Sequence, residues 1–149
     1  MRQVDELWIG EIPPQHLASV EDTLAAFVTS FSVSRLDSQP NFQISGSPAL
    51  DVFRRAELAS ALSRLGFPFE LLHLGQDSER YSFLPSLGIH RVSLNEIGEE
   101  QLSLGRIEEL LRQSGGSSGE FRTLLNRAVG EPWKAAIEVI RENERLRVA

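Results

Sequence analysis

An α+β protein built on one antiparallel sheet is what this chain predicts, and three observations carry that expectation. Short apolar runs of strand character alternate with helical stripes through the first half, turn signals separate them, and after one further strand pair the chain turns helical. At 149 residues the sequence suits one domain. A domain of that length buries roughly 68–70% of the surface its unfolded chain exposes, so no metal or disulfide staple is required.

Leu7–Ile12 is a short apolar strand stopped by Pro13-Pro14, and a helix follows from about His16 to Phe31 with Leu17, Val20, Leu24, Phe27 and Phe31 on one stripe. Ser32–Asp37 and Phe42–Ser45 read as strands joined through the turn Ser38-Gln39-Pro40-Asn41. A second helix begins after Pro48, with Ser47-Pro48 and Asp51 both serving as start signals, and carries Leu58, Ala61, Leu62 and Leu65 on its apolar side. Gly66 closes it and Pro68 forbids its continuation; Phe69–Leu74 is the next strand. The order strand–helix–strand–strand–helix–strand over about residues 5–75 is that of a ferredoxin-like βαββαβ core. Arg80–Leu84 and Leu87–Leu94 (the unit about 79–94) extend its sheet as a hairpin bent at Pro85-Ser86, where a missing amide hydrogen does no harm. Three C-terminal helices occupy about 103–147: Leu104–Arg112 behind a Ser103 cap, Glu120–Val129 with Ser117 and Glu120 at capping-box spacing, and Trp133–Arg147 after Gly130 and Pro132.

The strands are apolar on both sides. Leu7 and Ile9 oppose Trp8 and Ile12, and Phe69, Leu71 and His73 oppose Leu72 and Leu74. Two helices cover one face of such a unit, so the other needs the C-terminal helices or a partner subunit. The helical stripes available are Ile107, Leu110 and Leu111; Phe121, Leu124, Leu125 and Ala128; and Trp133, Ile137 and Ile140. Trp8, Trp133, Ile137 and Ile140 are accordingly the candidate interface residues.

Composition narrows the function classes. A formal net charge of −6 argues against a nucleic-acid partner, which needs a basic footprint. The absence of cysteine removes disulfides and thiolate chemistry. Asp5 and Glu6 follow Met1-Arg2 too closely for a signal peptide, and no apolar run has the length of a membrane span, so a cytoplasmic protein is expected. Fourteen arginines stand against the single lysine Lys134, which reads first as coding bias and second as the use of guanidinium forks on carboxylates or phosphates.

No motif completes a catalytic or cofactor constellation. Leu7-Trp8-Ile9-Gly10-Glu11-Ile12 looks like the first signature of an RNA-recognition motif. The third strand, Asn41 to Gly46, lacks the basic and aromatic run such a module needs, so Trp8 is read as a filler of core or interface. Gly115-Gly116-Ser117-Ser118-Gly119 follows no strand and precedes no lysine, which makes it a linker and not a phosphate loop. His16, His73 and His90 have no metal-ligand spacing, and His73, sharing a face with Phe69 and Leu71, suits a hydrogen-bonded, partly buried imidazole. No serine lies in a nucleophile elbow; Glu99-Glu100 and Glu108-Glu109 are adjacent and splay apart; the tail offers Glu138–Arg141, Glu142–Arg145 and Glu144–Arg147 pairs. Neither a catalytic residue nor a metal or cofactor is expected.

The segment Glu79–Arg91 remains. It holds the only tyrosine, and Arg80, Tyr81, His90 and Arg91 are the candidate contacts for a small anionic ligand, because arginine supplies a bidentate fork and tyrosine a directed hydroxyl. The competing reading makes Tyr81 and Phe83 core and the arginines guards of a sheet edge. Glu79, Arg80, Tyr81, Ser82, Pro85, Leu87, Gly88 and Ile89, together with the Gly130–Trp133 spacing, resemble an uncharacterised family of small actinobacterial cytoplasmic proteins, a domain of unknown function with Glu-Arg-Tyr-Ser-x-x-Pro-x-Leu-Gly-Ile at the corresponding place. That resemblance implies a source and no catalytic residue. The function expected is a non-catalytic protein-interaction or regulatory module, acting with a protein partner or as a homo-oligomer. A small-anion-binding regulatory domain comes second, and an enzyme of undefined class third.

Overall fold

Caps and left-handed residues decide where the elements stop. Asp51 accepts the Arg54 amide at 2.8 Å and starts a helix that Gly66, at φ 88°, ends; Ser103 and Ser117 accept the amides of Arg106 and Glu120 in the same way. The computed structural model describes residues 3–35 and 37–146. In chain order the elements are β1 (Val4–Ile12), a 3₁₀ turn (Pro14–His16), α1 (Leu17–Ala25), β2 (Phe31–Ser34), β3 (Phe42–Gly46), α2 (Val52–Leu65), β4 (Phe69–Leu74), β5 (Glu79–Leu84), β6 (Gly88–Leu94), β7 (Glu100–Gln101), α3 (Leu104–Gln113), α4 (Ser118–Ala128) and α5 (Glu131–Leu146).

The strands form a single seven-stranded sheet in the order β2-β3-β1-β4-β5-β6-β7, with every neighbouring pair antiparallel. One face carries Leu7, Ile9, Ile44, Phe69, Leu71, Tyr81 and Phe83 against Val20 and Leu24 of α1 and Leu58, Ala59 and Leu62 of α2. The opposite face is covered by the chain's own α5, where Trp8 and Leu84 meet Trp133 and Ile137. Among the described residues no helix is long and apolar enough to cross a membrane.

Several boundaries differ from the sequence expectation for identifiable reasons. α1 ends at Ala25, six residues before Phe31, and the amides of Phe27 and Val28 both turn back onto the Leu24 carbonyl. The residues beyond, Val28-Thr29-Ser30, are weak helix formers, and Phe31 opens β2 instead of finishing the helix. Ile12 does not share a face with Trp8. The β1–β3 register shifts between Ile9 and Ile12, and Glu11 sits at φ 54°. This bulge turns Ile12, fully buried, into the α1–α2 core beside Leu7 and Ile9. β7 is an additional short strand, pairing Glu100 with Leu94 and Gln101 with Ser93.

Candidate functional site

All six residues of β5 are buried, including Glu79 and Arg80. A strand buried on both sides is ordinarily apolar, so each charged group here needs its partner identified. The alternation of the strand and its register with β6 divide the four candidate ligand residues into two pairs. Tyr81 lies opposite Arg91 on the α1–α2 face; Arg80 lies opposite Val92, and Ser82 opposite His90, on the α5 face. The four do not converge on one site.

On the α1–α2 face the centre is the carboxylate of Glu79, which has no exposed surface. Arg55 of α2, 2% exposed, donates to its Oε2 through Nε at 3.1 Å and lies at 3.0 Å through Nη2; Arg91 donates to Oε1 from Nε at 2.8 Å. Arg55 also donates to the carbonyls of Leu50 and Asp77, tying the start of α2 to the β4–β5 turn. Tyr81 stands beside this cluster. Burial pushes its hydroxyl above the ordinary range, and the Glu79 charge acts in the same direction. The hydrogen bond to Glu79 in turn holds Arg91 above its usual pKa. The same face carries His73, whose Nδ1 lies 2.6 Å from Asp5 Oδ1 and whose Nε2 lies 2.8 Å from the Gln76 carbonyl. It is hydrogen-bonded as its strand position suggests, and more fully buried than the partial burial expected.

On the α5 face Arg80 donates from Nη2 to Glu100 Oε1 at 3.1 Å and to the Val129 carbonyl at 3.3 Å, while its Nε is buried with no partner among the described residues. His90 donates from Nε2 to the Ala128 carbonyl at 2.9 Å and stacks on Trp133 with ring centroids 4.6 Å apart; its Nδ1 is likewise buried and unpartnered. Burial lowers the pKa of this imidazole and the charges of Arg80 and Arg127 lower it further, against the pull of the Ala128 carbonyl. Trp133 is fixed by donating its indole hydrogen to the Gly88 carbonyl at 2.9 Å. Between these groups passes Gly130, at φ 87°, where a Cβ would stand 2.9 Å from the His90 ring. Only glycine combines that left-handed conformation with such an approach.

Two grooves flank this face. One, of about 530 Å³, lies between β4 and α5 on a floor of Leu72, Leu74 and Ile137, with Glu70, Arg80, Lys134 and Arg141 on its walls. Its cations are matched: Arg80 and Lys134 lie 3.1 and 3.6 Å from Glu100, and Arg141 lies 3.4 Å from Glu70. Burial would raise the Glu100 carboxyl, but its own backbone hydrogen bond and Arg80 bring it below the ordinary range. Glu70 remains raised, because burial outweighs the opposing charges of Arg141 and Arg80. The other groove, of about 390 Å³, lies between β6 and the α3–α4 pair, with Arg91, Arg106 and Arg127 among its lining residues and no carboxylate.

The candidate interface residues are used within the chain. Trp8, Trp133 and Ile137 are buried between α5 and the sheet, and Ile140 packs against them. Arg141, expected to pair with Glu138 along the helix, reaches across to Glu70 and over the Trp8 ring. Arg147 and the side chain of Arg145 lie outside the described residues, and with them two of the expected tail pairs. Sequence reasoning did not single out Arg55, Arg106 or Arg127, and it took Glu100 only as half of an adjacent acidic pair, whereas it pairs with Arg80; all four are brought in from other elements. The one available signal was the Gly130–Trp133 spacing, which marks the close approach under His90.

A family model described as a protein of unknown function (DUF3145) matches residues 37–146, from the β2–β3 turn to the end of α5. No curated protein and no solved structure is significantly similar to the chain.

Proposed function

The chain belongs to the DUF3145 family of proteins of unknown function, and from its own residues we propose that it is a cytoplasmic, non-catalytic regulatory module that docks a protein partner on its α3–α4 hairpin. In this reading β1 to β4 with α1 and α2 are a ferredoxin-like scaffold. The order β2-β3-β1-β4, antiparallel throughout and with both helices on one face, supports that. The observation that carries the docking role is the incomplete burial of the hairpin. Leu104 and Leu111 of α3 are 71% and 49% exposed, and α4 contains no buried residue although it carries Phe121, Leu124 and Leu125. The other helices bury most of theirs (Leu58 and Leu62 in α2, Trp133 and Ile137 in α5) and expose one large apolar residue each, Phe53 and Val139, whereas α3 exposes two that are seven residues apart and so lie on one face. Apolar side chains gathered on one exposed helical surface mark a contact site when they are contiguous.

The test is a pair of substitutions, Leu104→Glu and Leu111→Glu, in the full chain. Both positions are exposed, so thermal stability should move by no more than about 0.5 kcal/mol. Partners cross-linked to the wild-type protein in its native cell should be lost from the double variant. A variant that retains every wild-type partner, or a wild-type protein that captures nothing and scatters light as a monomer, defeats the proposal.

A further inference from the structure

We propose that the groove between β6 and the α3–α4 hairpin binds a small organic anion, a carboxylate or phosphate ester carried on an aromatic or branched aliphatic body. The charge of the groove runs against that of the molecule. In a chain of net charge −6, Arg106 and Arg127 line one cavity without a carboxylate among the lining residues. The groove on the other side of α5 differs in carrying carboxylates in its own lining, Glu70, Glu138 and Glu142, with Arg141 3.4 Å from Glu70.

Each arginine is held differently. Arg127 takes part in none of the ion pairs found among the described residues and lies 5.3 Å over the ring of Trp133, which orients its planar fork. Arg91 also borders the cavity, but its guanidinium is committed on the α1–α2 side to Glu79 through Nε and to Ser93 through Nη1. Arg106 pairs with Glu109 at 3.0 Å, but both side chains are about half exposed (44% and 48%). An exposed pair of that kind contributes roughly 0–1 kcal/mol and exchanges readily for a less hydrated anion. The remaining wall is apolar, formed by Leu102, Leu110, Leu124 and the indole of Trp133. Cationic forks beside leucines and an indole select an anion with an apolar body over inorganic phosphate. The volume of about 390 Å³ is that of a small-molecule site. His90, neutral and already donating to Ala128, is a wall of the cavity and not a hook.

This site does not depend on a protein docking at Leu104 and Leu111, and the two proposals fail separately. The test is titration of the full chain with benzoate, phenyl phosphate, inorganic phosphate and benzamide, the last an uncharged relative of benzoate. Benzoate or phenyl phosphate is expected to bind. Arg127→Gln and Arg106→Gln should each weaken that binding by about tenfold or more, while Arg122→Gln, an exposed arginine of α4 outside the groove, leaves it unchanged. Should Arg127→Gln disturb Trp133 and fail to fold, Arg106→Gln decides alone. The assignment is overturned by any of three results: no binding of either organic anion at about 10 mM, equal losses in Arg106→Gln and Arg122→Gln, or benzamide binding as tightly as benzoate. Inorganic phosphate binding as tightly as phenyl phosphate overturns the apolar half of the site.

Discussion

On one face of β5 the carboxylate of Glu79 has two arginines on it and no exposed surface, whereas on the other face Arg80 and His90 each keep a buried nitrogen without a partner among the described residues. Both faces bury charge next to the same strand: the first uses every buried polar nitrogen, whereas the second pairs Arg80 with Glu100 but leaves one guanidinium and one imidazole nitrogen unused among the described residues. A saturated cluster rigidifies and fixes the packing of α2 on the sheet. The second face has a glycine passing close under an imidazole, a raised carboxyl at Glu70 and a groove on either side of α5. The proposed recognition groove thus lies on the less saturated side of the strand.

The largest expected effect lies on the saturated face. Glu79→Ala leaves Arg55, 2% exposed, without its counter-charge, and removing one partner of a buried pair costs about 3–5 kcal/mol. Chemical denaturation should show a loss of that order, against a total of roughly 5–15 kcal/mol for a domain. Arg91→Gln, whose side chain is 45% exposed, should cost clearly less. Equal losses for the two would mean that Glu79 is not held mainly by Arg55.

Next comes Gly130→Ala on the other face, where a methyl group would meet the His90 ring at 2.9 Å in a left-handed backbone. Overpacking of this kind costs about 1–3 kcal/mol. A neutral variant would show that His90 can move away, and the contrast between a packed and an adjustable face would have to be redrawn in favour of an even looser α5 side.

The smallest effect is a pH dependence. The Glu70 carboxyl is raised by burial, so the folded protein holds that proton more tightly than the unfolded chain. Stability contributed by this group is therefore present below the unfolded carboxylate pKa and is lost as pH rises through the raised folded value. Glu70→Gln removes that loss. The melting temperature of the variant minus that of the wild type should become more positive on going from about pH 4 to pH 7. A difference that shrinks over this range would mean that Arg141 and Arg80 outweigh burial.

Much of this was legible in the chain. Caps at Asp51, Ser103 and Ser117 and the stop at Gly66 are local chemistry, written where they act. The division of Arg80 from Tyr81 follows from strand alternation alone, which already denies the pair a common site. Local patterns gave no sign of the bulge at Glu11, because a glutamate at φ 54° is imposed by the sheet and not preferred by the residue. Nor could they supply Arg55 for Glu79, or Glu100 for Arg80, since these partners come from elements 24 and 20 residues away and meet only once the layers pack. The basic groove was hidden for the same reason: Arg91, Arg106 and Arg127 come from three elements, and the whole-chain charge has the opposite sign.

Amide and indole chemical shifts of the isotopically labelled chain, followed during titration with phenyl phosphate, test this placement of the groove most directly. The perturbed signals should be those of His90 and Arg91, the facing turns of α3 and α4, and the Trp133 indole, with Arg55 and Tyr81 unmoved. Perturbations centred on Arg55, Glu79 and Tyr81, or spread evenly over both faces of the sheet, would contradict it.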